Sequence, residues 1–393
     1  MIAETAFWVC VAALFHSYVF YPVLLHFLTG NQELHHSAYN EEDKLPPVKI
    51  FMSVYNEEDV IRQKLDSLLA TTSPADRFLI CIGSDGSSDD TDRILQDYAD
   101  HHNSIYFQRY SGRKGKANIL NDLVANALTD QDEVYIFTDA NVMFTQSTIF
   151  ELVKYFKDAS IGLMGANVIN REIKEDGISH QEQAYIQREN YVKHLEGLCW
   201  GTMMGAFGAC YAIRSSHFKP IPANFLMEDF YITMNVLKQG KKAINNLDAI
   251  CYEDVANDLT EEFKRKVRIS AGNFQNLSVY YSLLWPPFNG LAFSFLSHKV
   301  LRWLGPFFLI IALITSGYLA PGNIFYAILF FLQGILLLFP LLDHLLRKGQ
   351  FHSLILRFIA YFYSMNLALL IGFFKYLKGV KTNVWQPTKR YEH

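Results

Sequence analysis

Three short stretches of this 393-residue sequence place acids where a fold could use them. Thr138-Asp139-Ala140-Asn141 ends the apolar run Val134 to Phe137, and Glu228-Asp229 opens a segment carrying Ile232, Val236 and Leu237. Gly83-Ser84-Asp85-Gly86-Ser87 closes the run Phe78 to Ile82. Asp139 and Asn141 offer oxygen ligands two residues apart, the hard donor set that suits Mg2+ or Mn2+ carrying substrate phosphates. Two adjacent acids suit general base catalysis, with Asp229 taking a proton and Glu228 orienting it. Basic residues provide the complement. Gly112-Arg113-Lys114-Gly115-Lys116 is a tight basic loop fit for a diphosphate, and Arg265 and Arg268 share a helix face at i, i+3. The same letters also occur in an Asp/Asn turn, a solvated basic turn and a helix-start acid pair, so the surrounding elements decide.

Those elements read as an alternation of strands and helices. Val48 to Val54, Phe78 to Ile82, Ile105 to Tyr110 and Val134 to Phe137 are β-branched and aromatic runs without polar alternation, the pattern of strands buried on both faces. Between them Val60, Ile61, Leu65, Leu68 and Leu69 fall at helical spacing, as do Ile94, Leu95 and Tyr98, and Ile119, Leu120, Leu123 and Val124. Such alternation predicts an α/β domain with a mainly parallel sheet and ligands at the carboxyl ends of the strands. The spacing of a Walker A loop is absent and no G-x-G-x-x-G follows the first strand, which disfavours P-loop and dinucleotide folds.

Composition divides the chain. Half of its residues are hydrophobic, gathered into Phe7 to Leu28 and the region beyond Leu301. We read residues 1–30 as a membrane anchor, 31–276 as the catalytic domain, 277–302 as interfacial helices, 303–377 as membrane segments and 378–393 as a cytosolic tail. His298, Lys299 and Arg302 are expected on the polar side of an interfacial helix. Leu354 to Leu377 carries Arg357 and Asn366, so it is expected to be interfacial or re-entrant. The five cysteines are scattered and contain no C-x-x-C, against a zinc site or a disulfide framework. No basic tract of nucleic-acid type is present.

Together the pieces resemble the membrane-embedded family 2 glycosyltransferases related to hyaluronan, chitin and cellulose synthases, over roughly Val48 to Arg390. Ser53-Val54-Tyr55-Asn56-Glu57-Glu58 resembles the strand end that holds the nucleotide base. Ser84-Asp85-Gly86-Ser87 resembles the D-D-G-S uridine contact, with serine for the first acid. Thr138-Asp139-Ala140-Asn141 resembles the D-x-D metal motif with Asn141 in the second place, and Glu228-Asp229 resembles the T-E-D base motif. Arg265-Lys266-Val267-Arg268-Ile269 stands where processive synthases carry Q-x-x-R-W, and the segment from Trp385 to Arg390 resembles their mobile C-terminal loop. The resemblance implies a GT-A-type domain between N-terminal and C-terminal transmembrane helices, in the inner membrane with the catalytic side cytosolic. It implies Tyr55, Glu57, Asp85, Lys116 and Asp139 at the donor, and Asp139 and Asn141 on the metal. It also implies Arg265, Arg268, Trp385, Thr388 and Lys389 at the diphosphate or acceptor. The expected reaction is inverting transfer from a nucleotide-sugar donor, such as a UDP-sugar, to a polysaccharide or other glycan acceptor. The altered Q-x-x-R-W also suits single-sugar transfer to a lipid-linked acceptor. Other classes left open are nucleotidyl transfer and an inactive subunit of an export complex.

Overall fold

A computed structural model describes residues 1–30, 32–71, 78–129, 131–171, 178–254, 258–348 and 353–384. The chain forms two compact units, one of Thr29–Glu172, Tyr185–Val255 and Val380–His393, the other of Met1–Leu28, Ile173–Ala184 and Ala256–Gly379. The helix Leu259–Tyr280 falls in the second of these units.

An N-terminal helix, α1 (Ile2–Thr29), precedes the catalytic unit. That unit is then built from β1 (Val48–Val54), α2 (Glu58–Leu69), β2 (Phe78–Ser84), α3 (Thr91–His101), β3 (Ile105–Arg109), α4 (Lys116–Asn126), β4 (Val134–Thr138), β5 (Val142–Phe144), α5 (Thr148–Val153) and β6 (Ile161–Arg171). The helix α6 (Ser179–Trp200), β7 (Cys210–Arg214), α7 (Glu228–Lys238) and β8 (Lys242–Asp254) follow. The eight strands make one sheet in the order β3-β2-β1-β4-β7-β6-β8-β5. The first half is parallel, as the alternation demands, and β7 then runs antiparallel to both β4 and β6. Every residue of β1 is buried, and its one charge, Lys49, is neutralised by Glu133 at 2.8 Å. Ile50, Met52, Ile80, Ile136 and Leu65 fill the core between sheet and helices. Crossover connections place the ends of β1, β2 and β4 side by side, so the loops at 55–57, 84–88 and 139–141 share one edge.

The second unit contains α8 (Leu259–Tyr280) and the apolar helices α9 (Gly305–Leu319), α10 (Ile324–Lys348) and α11 (Leu354–Leu377). Four helices among the described residues are long and apolar enough to cross a membrane: α1, the α9 segment, α10 and α11. One sequence expectation needs correction here. His298 is fully buried, not on a wet face, while Leu296 on the same turn is exposed. α11 is a single unbroken helix in which Arg357 and Asn366 are both buried, with Arg357 Nε 3.9 Å from Asp343 Oδ1 on α10. The sequence could not show that these polar groups are buried against the rest of the chain.

Candidate active site

Each acid of the candidate site is placed by the end of an element. The apolar β4 ends at Thr138, whose hydroxyl donates to the Ala209 carbonyl at 3.0 Å, and the Asp139 N–H donates to the same oxygen at 3.1 Å. Asp139 therefore leaves the sheet at a turn tied to the loop before β7. Glu228 and Asp229 occupy the first turn of α7, where the helix dipole favours negative charge. Lys116 is the first residue of α4, directly after Gly115. Gly115 has φ +84°, open to glycine, and a Cβ there would lie 1.8 Å from Asn383 Oδ1 of the C-terminal tail.

These three ends converge. Lys116 Nζ lies 2.7 Å from Asp139 Oδ1 and 2.6 Å from Glu228 Oε1. Burial works against the Lys116 charge, yet Asp139 and Glu228 together hold its pKa above the ordinary lysine value. Asp229 is buried beside Glu228, with Oδ1 accepting from the Phe230 N–H at 2.7 Å. Burial first and the Glu228 carboxylate second push Asp229 up to about 6, against the pull of Lys116. A carboxyl poised near neutrality is what a general base for a sugar hydroxyl requires. Gly208 makes room for it, since a Cβ there would lie 3.0 Å from Asp229 Oδ2.

The residues expected at the nucleotide base are arranged differently from Asp139 and the Glu228-Asp229 pair. Asp85 is fully buried, and its Oδ1 accepts from the Lys114 N–H at 2.5 Å. Its Oδ2 accepts from the Gly115 N–H and from Arg113 Nε, each at 3.1 Å. Asp85 thus shapes the Gly112 to Lys116 loop. The Arg113 guanidinium lies 3.3 Å above the Tyr55 ring, so a base stacked on that face would take its place. Glu57 begins α2, with its N–H donating to Thr91 Oγ1 at 2.8 Å. Asn141 Nδ2 donates to Glu253 Oε1 at 3.0 Å, which turns its carbonyl oxygen the other way. Arg265 and Arg268 belong to the other unit, and Arg265 Nη1 lies 3.3 Å from Glu262 Oε2. Trp385, Thr388 and Lys389 lie outside the described residues.

The sequence reading passed over two buried groups here. Lys64 is fully buried behind the Asp139 turn, and burial lowers its pKa to about 8. Its visible signal was a lysine inside the apolar stripe of α2. Tyr211 is buried with its hydroxyl unpartnered among the described residues, and burial, Glu228, Asp229 and Asp139 all raise its pKa. The register that brings Tyr211 opposite Phe137 was not readable from spacing.

Strand ends gather an Asp/Asn pair, a basic glycine loop and a buried helix-start acid pair at one edge of the sheet. Residues 49–220 match the family described as Glycosyl transferase family 2. One similar protein is the Probable glycosyltransferase YdaM of Bacillus subtilis (strain 168), 24% identical over 280 residues, which are 67% of this chain and 63% of that one. Another is the Poly-beta-1,6-N-acetyl-D-glucosamine synthase of Staphylococcus epidermidis, 22% identical over 242 residues, 61% of this chain and 57% of that one. The matched regions thus span less than two thirds of these relatives' own length. Among solved structures, the mannosyltransferase PcManGT from Pyrobaculum calidifontis, in complex with GDP-Man and Mn2+, shares the fold with a TM-score of 0.71. Its sequence identity is 18%, over 95% of this chain and 99% of that one. Residues 49–220 thus form a domain of the Glycosyl transferase family 2 type, and four helices among the described residues are long and apolar enough to cross a membrane.

The donor set decides how a divalent ion fits. No group of three or more His, Cys, Asp or Glu side chains among the described residues forms a metal cage. Asp139 and the Asn141 carbonyl oxygen would offer two hard ligands at the mouth of β4. Mg2+ and Mn2+ bind through one or two such groups when substrate phosphates and water complete the shell. The residues therefore fit an ion that arrives with a diphosphate.

Proposed function

We propose that the protein is an inverting transferase that moves a sugar from a nucleotide-diphosphate donor, a UDP-sugar in the first instance, to a growing glycan at a membrane face. The observation that carries this reading is the Lys116 bridge, 2.7 Å from Asp139 and 2.6 Å from Glu228, which joins the diphosphate end of the site to the base pair Glu228-Asp229. Asp139 and Asn141 would hold Mg2+ or Mn2+, and a bound ion would neutralise charge on the donor diphosphate. Lys116 supplies fixed positive charge where the leaving diphosphate becomes more negative. Asp229 takes the proton of the acceptor hydroxyl as its oxygen attacks the anomeric carbon, and the bond to the nucleoside diphosphate breaks. The nucleophile comes from the acceptor, so no sugar–enzyme bond forms. Glu228 holds Lys116 and keeps Asp229 basic.

Tyr55, Glu57 and Asp85 line the expected base end, Asp85 acting through the loop it shapes. The roles of Arg265, Arg268, Trp385, Thr388 and Lys389 at the leaving group and acceptor rest on the resemblance to the synthases. A lipid-linked acceptor receiving a single sugar is the second reading, favoured by Ile269 in the place of the acceptor-stacking tryptophan. In this reading the active side faces the cytosol at the inner membrane, with export subunits as possible partners. Purified protein incubated with a panel of nucleotide sugars, with and without chelator, tests the proposal by product mass. Metal-dependent release of nucleoside diphosphate coupled to a lengthened glycan is expected. Pyrophosphate release from nucleoside triphosphates instead would overturn it.

A further inference from the structure

We infer that Lys64 is a positioning residue that fixes the Asp139 to Asn141 turn from behind and so sets the geometry of the diphosphate–metal end of the site. α2 buries Val60, Ile61, Lys64, Leu65 and Leu68 on one stripe, and Lys64 stands where the pattern calls for an aliphatic side chain. Its relative exposure is 0%, so the ammonium has lost its water entirely. Such burial is costly for a charge without a counter-ion. Among the described residues the hydrogen bonds of Lys64 go to neutral oxygens, Thr138 Oγ1 at 3.0 Å and the Val142 carbonyl at 2.5 Å. The Phe144 ring lies 4.0 Å from the nitrogen.

Those two oxygens stand on either side of Asp139-Ala140-Asn141. One cation therefore staples both ends of the turn. Within it the Val142 N–H donates to the Asp139 carbonyl at 3.3 Å, and the Thr138 hydroxyl, besides accepting from Lys64, donates to Ala209. A leucine would hold α2 on the sheet as well without the cost of a buried charge. What it could not do is hold the two backbone ends at a fixed separation. Ligand oxygens ordered before the donor arrives do not have to be ordered on binding. With one carboxylate and one neutral amide as ligands, the site depends on that order more than a site with two carboxylates would.

The inference rests on the reading of Asp139 and Asn141 as metal and diphosphate ligands, and the test separates the two. Binding of UDP with and without Mn2+, and of uridine alone, is measured by calorimetry for the wild type, Lys64→Met and Thr138→Val, with the melting temperature of each. Lys64→Met should bind UDP in Mn2+ at least tenfold more weakly while uridine affinity changes less than twofold. Thr138→Val, which removes one end of the staple and keeps the cation, should lose threefold or more in the same component. A merely structural role would weaken UDP and uridine together in step with the loss of folded protein. Mn2+-dependent wild-type binding that survives Lys64→Met unchanged overturns this inference alone. If Lys64→Met does not fold, unchanged binding by Thr138→Val overturns it. Wild-type UDP binding indifferent to Mn2+ overturns the metal reading and this inference with it.

Discussion

Two buried charge clusters in the molecule are built on opposite plans. In the apolar unit, Lys266 Nζ lies 3.2 Å from Glu182 Oε1 and 3.1 Å from Glu262 Oε1. Arg265 takes the other Glu262 oxygen, and the Tyr361 hydroxyl donates to the other Glu182 oxygen. Two acids meet two cations, and although burial opposes the Glu182 charge, Lys266 and Arg265 hold its pKa below the ordinary value. The cluster at the candidate site is not paired one to one. Asp139, Glu228 and Asp229 gather around Lys116, with Asp229 raised to about 6, and Lys64 is buried among neutral partners. Balanced charge in a dry place is structure. Charge shared unevenly at the same depth is the kind of arrangement that marks candidate functional sites.

The contrast predicts opposite responses to neutral substitutions. Asp229→Asn should lower transfer by about a thousandfold, because an amide accepts no proton, the effect of a lost general base being roughly 10² to 10⁴. Nucleoside diphosphate affinity should stay within about threefold and the melting temperature should hold or rise, since a disfavoured buried charge is gone. Retained transfer removes Asp229 from the chemistry.

Lys116→Met comes next in size. Diphosphate affinity should fall by about a hundredfold, the loss expected on truncating a buried charge partner. The pH profile carries a second readout. With Asp229 near 6, kcat/KM falls as pH drops through about 6, because the base becomes protonated. Lys116 pulls that pKa down, so its removal should move the acid limb upward by about one pH unit. A limb that stays in place would show that Lys116 does not act on the base.

In the balanced cluster, Lys266→Met should cost stability rather than chemistry. Glu182 and Glu262 would be left buried without their shared cation, a loss of roughly 3 to 5 kcal/mol. Adding Glu182→Gln should recover part of it, while kcat of the folded fraction stays within about threefold. A large fall in kcat without a fall in melting temperature would erase the distinction between the two clusters.

What the sequence revealed of this follows from how local each cause is. The parallel half of the sheet was readable because β1, β2 and β4 are unbroken apolar runs ending in loop residues. β6 and β8 were missed, since β6 carries Asn167 and Asn170 and β8 carries Asn245, Asn246 and Asp248 within the strand. Asn245 and Asn246 are buried, which no alternation rule anticipates. Asp139, Glu228 and Asp229 stood out as candidates because each lies where an element starts or stops. The bridge between them was not, because Lys116 and Glu228 meet only through tertiary packing. Lys64 hid for the opposite reason: its neighbours spelled an ordinary amphipathic helix.

The smallest expected effect is on activity and the most decisive is on topology. Burial of Arg357 and Asn366 removes the polar objection to α11 crossing a membrane. Two other observations bear on it. Tail residue Asn383 packs on Gly115 of the catalytic unit, so the two share a side of any membrane. Between that unit and the tail lie three apolar helices, α9, α10 and α11, and a chain that returns to its own side crosses an even number of times. One of the three therefore does not cross. α11 is the one that runs beside a charged helix, with Tyr361 on Glu182 next to Lys266, Ser270 donating to the Leu369 carbonyl at 2.8 Å, and Phe373 at 4.9 Å from Phe274. α8 carries Lys264, Arg265, Lys266 and Arg268 along that stretch, and charge is costly in mid-bilayer. The expectation is that α9 and α10 cross as a hairpin while α11 lies at the interface. Lys381→Cys and Gln131→Cys, each in a Cys199→Ser background, should react with an impermeant maleimide under the same condition, both in intact cells or both only after permeabilisation. Labelling of one without the other would put the tail across the membrane from the catalytic unit and make α11 a full span.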